Sequence, residues 1–207
     1  MAKRKKGVTL VEVVITLAII GIVMSVIFAM FNSSQRTLID TELKSNLQYE
    51  TQRVQEKIAS IGVQSSGITE LTPIGEATSK GKYKVTTKVS NITLKNYSDE
   101  SIDENYKEKE KYTENSFVLE SDGTLKLVKQ EVEVYLEKSE NSNTNDKDNK
   151  KEQVICKGVE YLEVSYDTDD YKDAQAIEIK VKLKDEKGLS KKDLTTSTII
   201  TFRNFGL

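Results

Sequence analysis

One carboxylate in this chain stands where a carboxylate is expensive. In KKGVTLVEVVITLAII, residues 5–20, Glu12 falls inside an apolar run that opens at Val8, directly after a basic block that stops at Gly7. A second acidic group, DTDDYKD at residues 167–173, supplies several oxygen donors of the kind Ca²⁺ takes. It lacks the Gly and the terminal Glu of an EF-hand loop, so Asp167, Asp169 and Asp173 read as a solvated turn between strands and no metal site is expected. Other chemistry is thin. There is no histidine, the commonest general base and metal ligand, and no Gly-rich phosphate loop. An enzyme would need a Ser-Lys or carboxylate pair that the sequence does not locate, so neither catalysis nor a cofactor is expected. Cys156 is the single cysteine and cannot form an internal disulfide; after Val154 and Ile155 it reads as a small apolar core residue.

The elements that position Glu12 come next. The uncharged stretch 13–31 would extend about 28 Å as a helix, close to the roughly 30 Å of a bilayer's hydrocarbon core. Its aliphatic and aromatic side chains gain about 4 to 7 kcal/mol on insertion. Glu12 sits near one end of that span, where a charge costs less than the roughly 2.5 to 3.5 kcal/mol of mid-membrane. The segment admits three readings: a cleaved secretory signal, for which the A-x-A pattern is missing; an uncut signal anchor with its basic end in the cytoplasm; or a processed leader followed by a retained span. The signal-anchor reading leaves Gly7 and Glu12 unexplained.

The third reading rests on a resemblance. The stretch Lys6-Gly7-Val8-Thr9-Leu10-Val11-Glu12, followed by a long apolar run, resembles the class III leader of type IV pilins and pseudopilins. The resemblance implies that prepilin peptidase cuts between Gly7 and Val8, that Val8 is N-methylated, and that Glu12 pairs with the N-terminal ammonium of a neighbouring subunit. In hydrocarbon, a carboxylate and an ammonium gain far more from one another than in water. The family's first mature residue is usually Phe, and here it is Val8. Implied partners are the peptidase, other pilin or pseudopilin subunits, the cytoplasmic membrane and an assembly platform. The implied location is a single-pass membrane protein with a cytoplasmic N-terminus, later an extracytoplasmic filament.

Beyond residue 31 the helical pattern continues. Leu43, Leu47, Val54, Ile58 and Ile61 recur on one helical stripe, and no proline interrupts residues 8–61. The spacing predicts one helix of about 54 residues, roughly 80 Å long, with Gly62 as its stop. The amphipathic half, 32–61, is expected to pack on a sheet; a free coiled-coil stalk is the alternative. The remainder, 62–207, reads as a β-rich head. Strand patterns fall at 82–94, 117–119, 125–128, 132–136, 159–166, 177–183 and 198–203, with a hairpin turn at Asp122-Gly123. The expected class is α+β: a long N-terminal helix, 8–31 in the membrane or filament core and 32–61 in the head, packed on an antiparallel sheet and preceded by a leader at 1–7.

Two stretches, 98–115 and 138–152, are polar and charged and read as exposed loops, either solvated insertions or binding surface. The net charge is -2 overall. Setting aside Lys3, Arg4, Lys5 and Lys6 leaves 27 basic against 33 acidic residues, which argues against nucleic acid as the main partner, and none is expected for the isolated subunit. Stretches at 47–58, 157–164, 177–183 and Thr201-Phe202-Arg203-Asn204 resemble PilW-like minor pilins and the J-class minor pseudopilins of type II secretion. That resemblance implies a scarce subunit in a tip complex that primes assembly; an adhesive tip protein and a simple anchored extracytoplasmic protein are the alternatives.

Overall fold

The computed structural model describes residues 9–97, 109–135, 144–145, 150–188 and 190–202. The leader residues through Gly7, Val8 itself, and most of the two polar stretches lie outside the described residues. One helix, α1 (Leu10–Gly62), spans 53 residues, about 80 Å at 1.5 Å per residue. It runs unbroken because the chain's single proline, Pro73, lies beyond it. Thr9 caps its start in extended geometry.

The two halves of α1 differ in what they touch. From Leu10 to Phe31 the apolar side chains are exposed, whereas Leu43, Leu47, Thr51, Val54, Ile58 and Ile61 form a continuous buried stripe. Each of the larger apolar members contributes about 1.5–3 kcal/mol through burial. Thr51 fills the gap of seven between Leu47 and Val54; its hydroxyl is buried without a hydrogen-bond partner among the described residues. The amphipathic half therefore packs on the sheet, as its spacing predicts, and is no free stalk.

Among the described residues, ten antiparallel strands form one curled sheet: β1 (Gly67–Pro73), β2 (Thr78–Lys80), β3 (Tyr83–Tyr97), β4 (Lys109–Leu119), β5 (Leu125–Tyr135), β6 (Thr144–Asn145), β7 (Lys151–Cys156), β8 (Val159–Tyr166), β9 (Ala176–Lys187) and β10 (Ser190–Thr201). The fold is α+β. β3 is the hub. Its first half pairs with β8, from Val85↔Tyr166 to Val89↔Leu162, and its second half pairs with β4, from Asn91↔Val118 to Tyr97↔Tyr112. The sheet thus divides into one arm through β8, β9 and β10 and another through β4, β5, β6 and β7. Both arms reach α1, which contacts β10, β9, β7 and β3.

β10 runs alongside the helix. Ser190 donates its hydroxyl proton to Asp40, Gln55 donates from Nε2 to the Ser197 carbonyl at 3.4 Å, and Ile200 lies against Gly62. From Asp40 to Gly62 the helix rises about 33 Å, and from Ser190 to Ile200 an extended strand covers about 34 Å. The two elements stay in step over that whole length. β9 shows the clean alternation expected of it, with Ile177, Ile179, Val181 and Leu183 in the core. Lys180 and Lys182 between them pair on the other face with Glu178 at 3.3 Å and Glu160 at 3.0 Å.

Several elements differ from the sequence expectation. The runs at 125–128 and 132–136 join into the single strand β5, because β4 pairs with it continuously from Leu119↔Leu125 to Lys109↔Tyr135. β4 takes in residues 109–115 and β7 takes in 151–152, both from stretches that composition marks as polar. β10 begins at Ser190, well before residue 198. Gly62 does end the helix, but for another reason than left-handed backbone. The C-cap is Val63 in right-handed geometry, and a Cβ on Gly62 would stand 2.6 Å from Ile200 Cδ1. The glycine is required by a close approach to β10. The Asp122-Gly123 turn forms as expected, with Gly123 at φ 80 and Asp122 Oδ1 accepting from the Thr124 N–H at 2.8 Å.

Candidate assembly site

Glu12 occupies the third position of α1, and the first turn is built around it. The Thr9 N–H and the Thr9 hydroxyl both donate to Glu12 Oε2 at 2.9 Å, while the Glu12 N–H donates to Thr9 Oγ1 at 3.3 Å. This is a reciprocal capping box, which satisfies donors that the start of a helix otherwise leaves open. The helix dipole also favours a negative charge in the first turn. Both Thr9 donors fall on one oxygen, so Oε1 has no bonding partner among the described residues. A Thr-x-x-Glu pattern is the sequence signature of such a box, and the reading that singled out Glu12 missed Thr9.

Around this carboxylate the surface is apolar. Leu10, Val11, Val13, Val14 and Ile15 are all exposed, and the helix is long and apolar enough to cross a membrane by length and composition. The arrangement offers one carboxylate, its Oε2 held by Thr9 and its Oε1 open, on a greasy stretch of helix. Gly7 and Val8, the expected cleavage and methylation positions, lie outside the described residues.

The other candidates are dispersed. Asp167, Asp169 and Asp173 sit in the β8–β9 connection, where a 3₁₀ turn at Tyr171–Asp173 forms. The turn is capped by Asp170, whose Oδ1 accepts from the Lys172 N–H at 3.0 Å. Asp169 pairs with Lys84 at 3.5 Å in open solvent, and among the described residues no cluster of carboxylates, cysteine or histidine has the makings of a metal site. A cavity of about 480 Å³ lies between α1 and β7, lined by Leu47, Glu50, Arg53, Val154, Cys156 and Leu183 among others. Burial, with help from the Glu50 carboxylate, pushes the Cys156 thiol up to about 12, so it stays protonated and is a poor nucleophile.

Residues 2–28 match the model of the prokaryotic N-terminal methylation motif. No curated protein and no solved structure matches the chain significantly. The motif supports a structural subunit of the type IV pilin or pseudopilin kind, made as a prepilin for prepilin peptidase, anchored by an apolar N-terminal helix and assembled with other pilins.

Proposed function

We propose, from the premise that the chain is a type IV pilin-like or pseudopilin-like subunit, that it is a minor subunit of the tip complex and primes filament assembly. Cleavage falls between Gly7 and Val8 on the cytoplasmic side, and the new Val8 amino group is methylated. Residues 8–31 stay in the membrane and then enter the filament core, while the amphipathic half of α1 carries the head. Glu12 is the docking group: it accepts the N-terminal ammonium of a neighbouring subunit through Oε1.

The observation that carries this reading is the geometry of Glu12. Its carboxylate is anchored through Oε2 on the apolar, exposed half of α1, and an anion so placed gains most from a single cationic partner. The test combines two measurements on the native protein. Mass spectrometry of the mature N-terminus should find methylated Val8; an intact Met1 or an unrelated cut sinks the proposal. Glu12→Gln keeps an oxygen acceptor for the Thr9 donors and removes the charge, so it should leave insertion and cleavage intact yet abolish assembly, as should Glu12→Ala. Normal incorporation of Glu12→Gln into filaments would show that helix capping, and no charge pairing, is the role of Glu12. Depletion of the protein should lower filament number without changing filament composition along the shaft.

A further inference from the structure

The head carries its charge unevenly along the axis of α1. Because Ser190 meets Asp40 and Ile200 meets Gly62, the β9–β10 hairpin is the end of that arm nearest the apolar half of α1. The β8–β9 connection is the far end. The near end, KDEKGLSKK at residues 184–192, holds four lysines against two acids of its own and Asp40 and Glu42 of α1, so that Arg36 is the surplus charge there, while the far end, DTDDYKD at 167–173, holds four aspartates against one lysine.

The near end is also fixed in place. Lys187 Nζ donates to both Glu42 oxygens, at 3.0 and 2.8 Å. Lys192 pairs with Asp40 at 3.3 Å, and Lys191 pairs with Glu186 at 3.2 Å. Arg36 joins Lys187, Gly188 and Ser190 around a cleft of about 400 Å³ and has no ion-pair partner among the described residues. Its position along the helix matters. Arg36 lies five residues beyond Phe31, about 7.5 Å of rise, and the polar headgroup layer outside the hydrocarbon core is about 5–8 Å thick. The surplus cation therefore stands at the level of lipid phosphates when residues 13–31 fill the core.

We propose that Arg36 and the β9–β10 hairpin form a membrane-surface contact that binds the phosphates of anionic lipid headgroups and sets the head upright on the bilayer. The inference rests on α1 being the membrane anchor. Attraction of basic groups to an anionic surface holds the near end down, and the acidic far end is repelled from it.

The full chain in nanodiscs tests this, with a fluorophore on Glu186→Cys at the hairpin, on Asp169→Cys at the far end, or on Val23→Cys in the anchor. In discs of phosphatidylcholine and phosphatidylglycerol, headgroup-nitroxide lipid should quench the hairpin probe at least about threefold more than the far-end probe. Arg36→Ala with Lys191→Ala should lower that ratio, as should discs of phosphatidylcholine alone. Equal quenching at the two head probes, with Val23 still quenched by acyl-chain nitroxide, overturns the surface contact while leaving the anchor standing. Loss of Val23 quenching removes the anchor and this contact with it. Hairpin quenching that appears only with several copies per disc assigns the basic end to the acidic end of a second copy, which also overturns the proposal.

Discussion

Replacing Gly62 by Ala tests why the helix ends where it does. The new Cβ would lie 2.6 Å from both Ile200 Cδ1 and Cγ1 and 2.9 Å from Cγ2. All three are the branches of one side chain that is only 3% exposed, so no free end can swing aside. Overpacking of this kind costs about 1–3 kcal/mol. Gly→Ala within a helix returns at most about 1 kcal/mol of backbone propensity, and less in a last turn that frays. The net expectation is a loss of about 1–2 kcal/mol. Urea unfolding of the full chain in mild detergent, followed by near-ultraviolet circular dichroism from the tyrosines, measures it. The double variant Gly62→Ala with Ile200→Ala removes every clashing atom. Although Ile200→Ala alone should cost about 2–5 kcal/mol, the pair should be less destabilised than the sum of the singles by about 1–2 kcal/mol. A Gly62→Ala protein as stable as the parent, or additive singles, would refute the close-approach account.

Three other perturbations read different parts of the head. The Ser190 hydroxyl and then the Lys192 ammonium hold the Asp40 carboxyl below its ordinary 3.8; a folded-state value below the unfolded one adds stability that is present above that ordinary value and lost as the pH falls through the folded one. Asp40→Asn should therefore flatten the acid limb of the unfolding midpoint against pH, and an unchanged limb would discount the Asp40 latch. Cys156, buried and pushed up to about 12, should resist iodoacetamide in the folded chain at mildly alkaline pH and react fully in urea; rapid native labelling would contradict its burial. Gly158→Ala places a Cβ 2.5 Å from the Lys184 carbonyl oxygen at φ 76, so a loss of about 2–4 kcal/mol is expected in the same denaturation assay.

What could be read before the structure follows from where the apolar groups sit. The stripe from Leu43 to Ile61, the alternating strand at Ile177 and the turn at Asp122-Gly123 all declare themselves, because each buries one face or needs one special backbone angle. β10 was half hidden: Ser190 to Thr196 faces the core with little more than Leu194 and Thr196, its other positions being polar and exposed or half-exposed. β7 exposes Lys151 to Val154 and buries only its last two residues. β1 ends on a proline, which suits an outer strand that pairs on one side alone. In each case the strand is held by backbone pairing with a neighbour, which leaves no period in the side chains. At the candidate assembly site the charge on Glu12 was conspicuous against apolar neighbours. Thr9 was not, because a hydroxyl before a helix carries no such contrast.

The pairing of β10 with α1 also orders events in time. The partners that bind across this seam, Gln55 with Ser197 and Asp40 with Ser190, are 142 and 150 residues apart in the chain. Contacts of such long separation form late, after the loop-closure entropy between them has been paid. The helix is made first and can be in the bilayer while the strand that covers its inner stripe is still being synthesised. Until β10 arrives, the stripe from Leu43 to Ile58 lacks one of the four strands that α1 contacts, β3, β7 and β9 being the others. A nascent chain arrested before residue 190 should therefore be protease-sensitive through the head yet protected in the span, and protection of the head should appear in one step once the final strand is released.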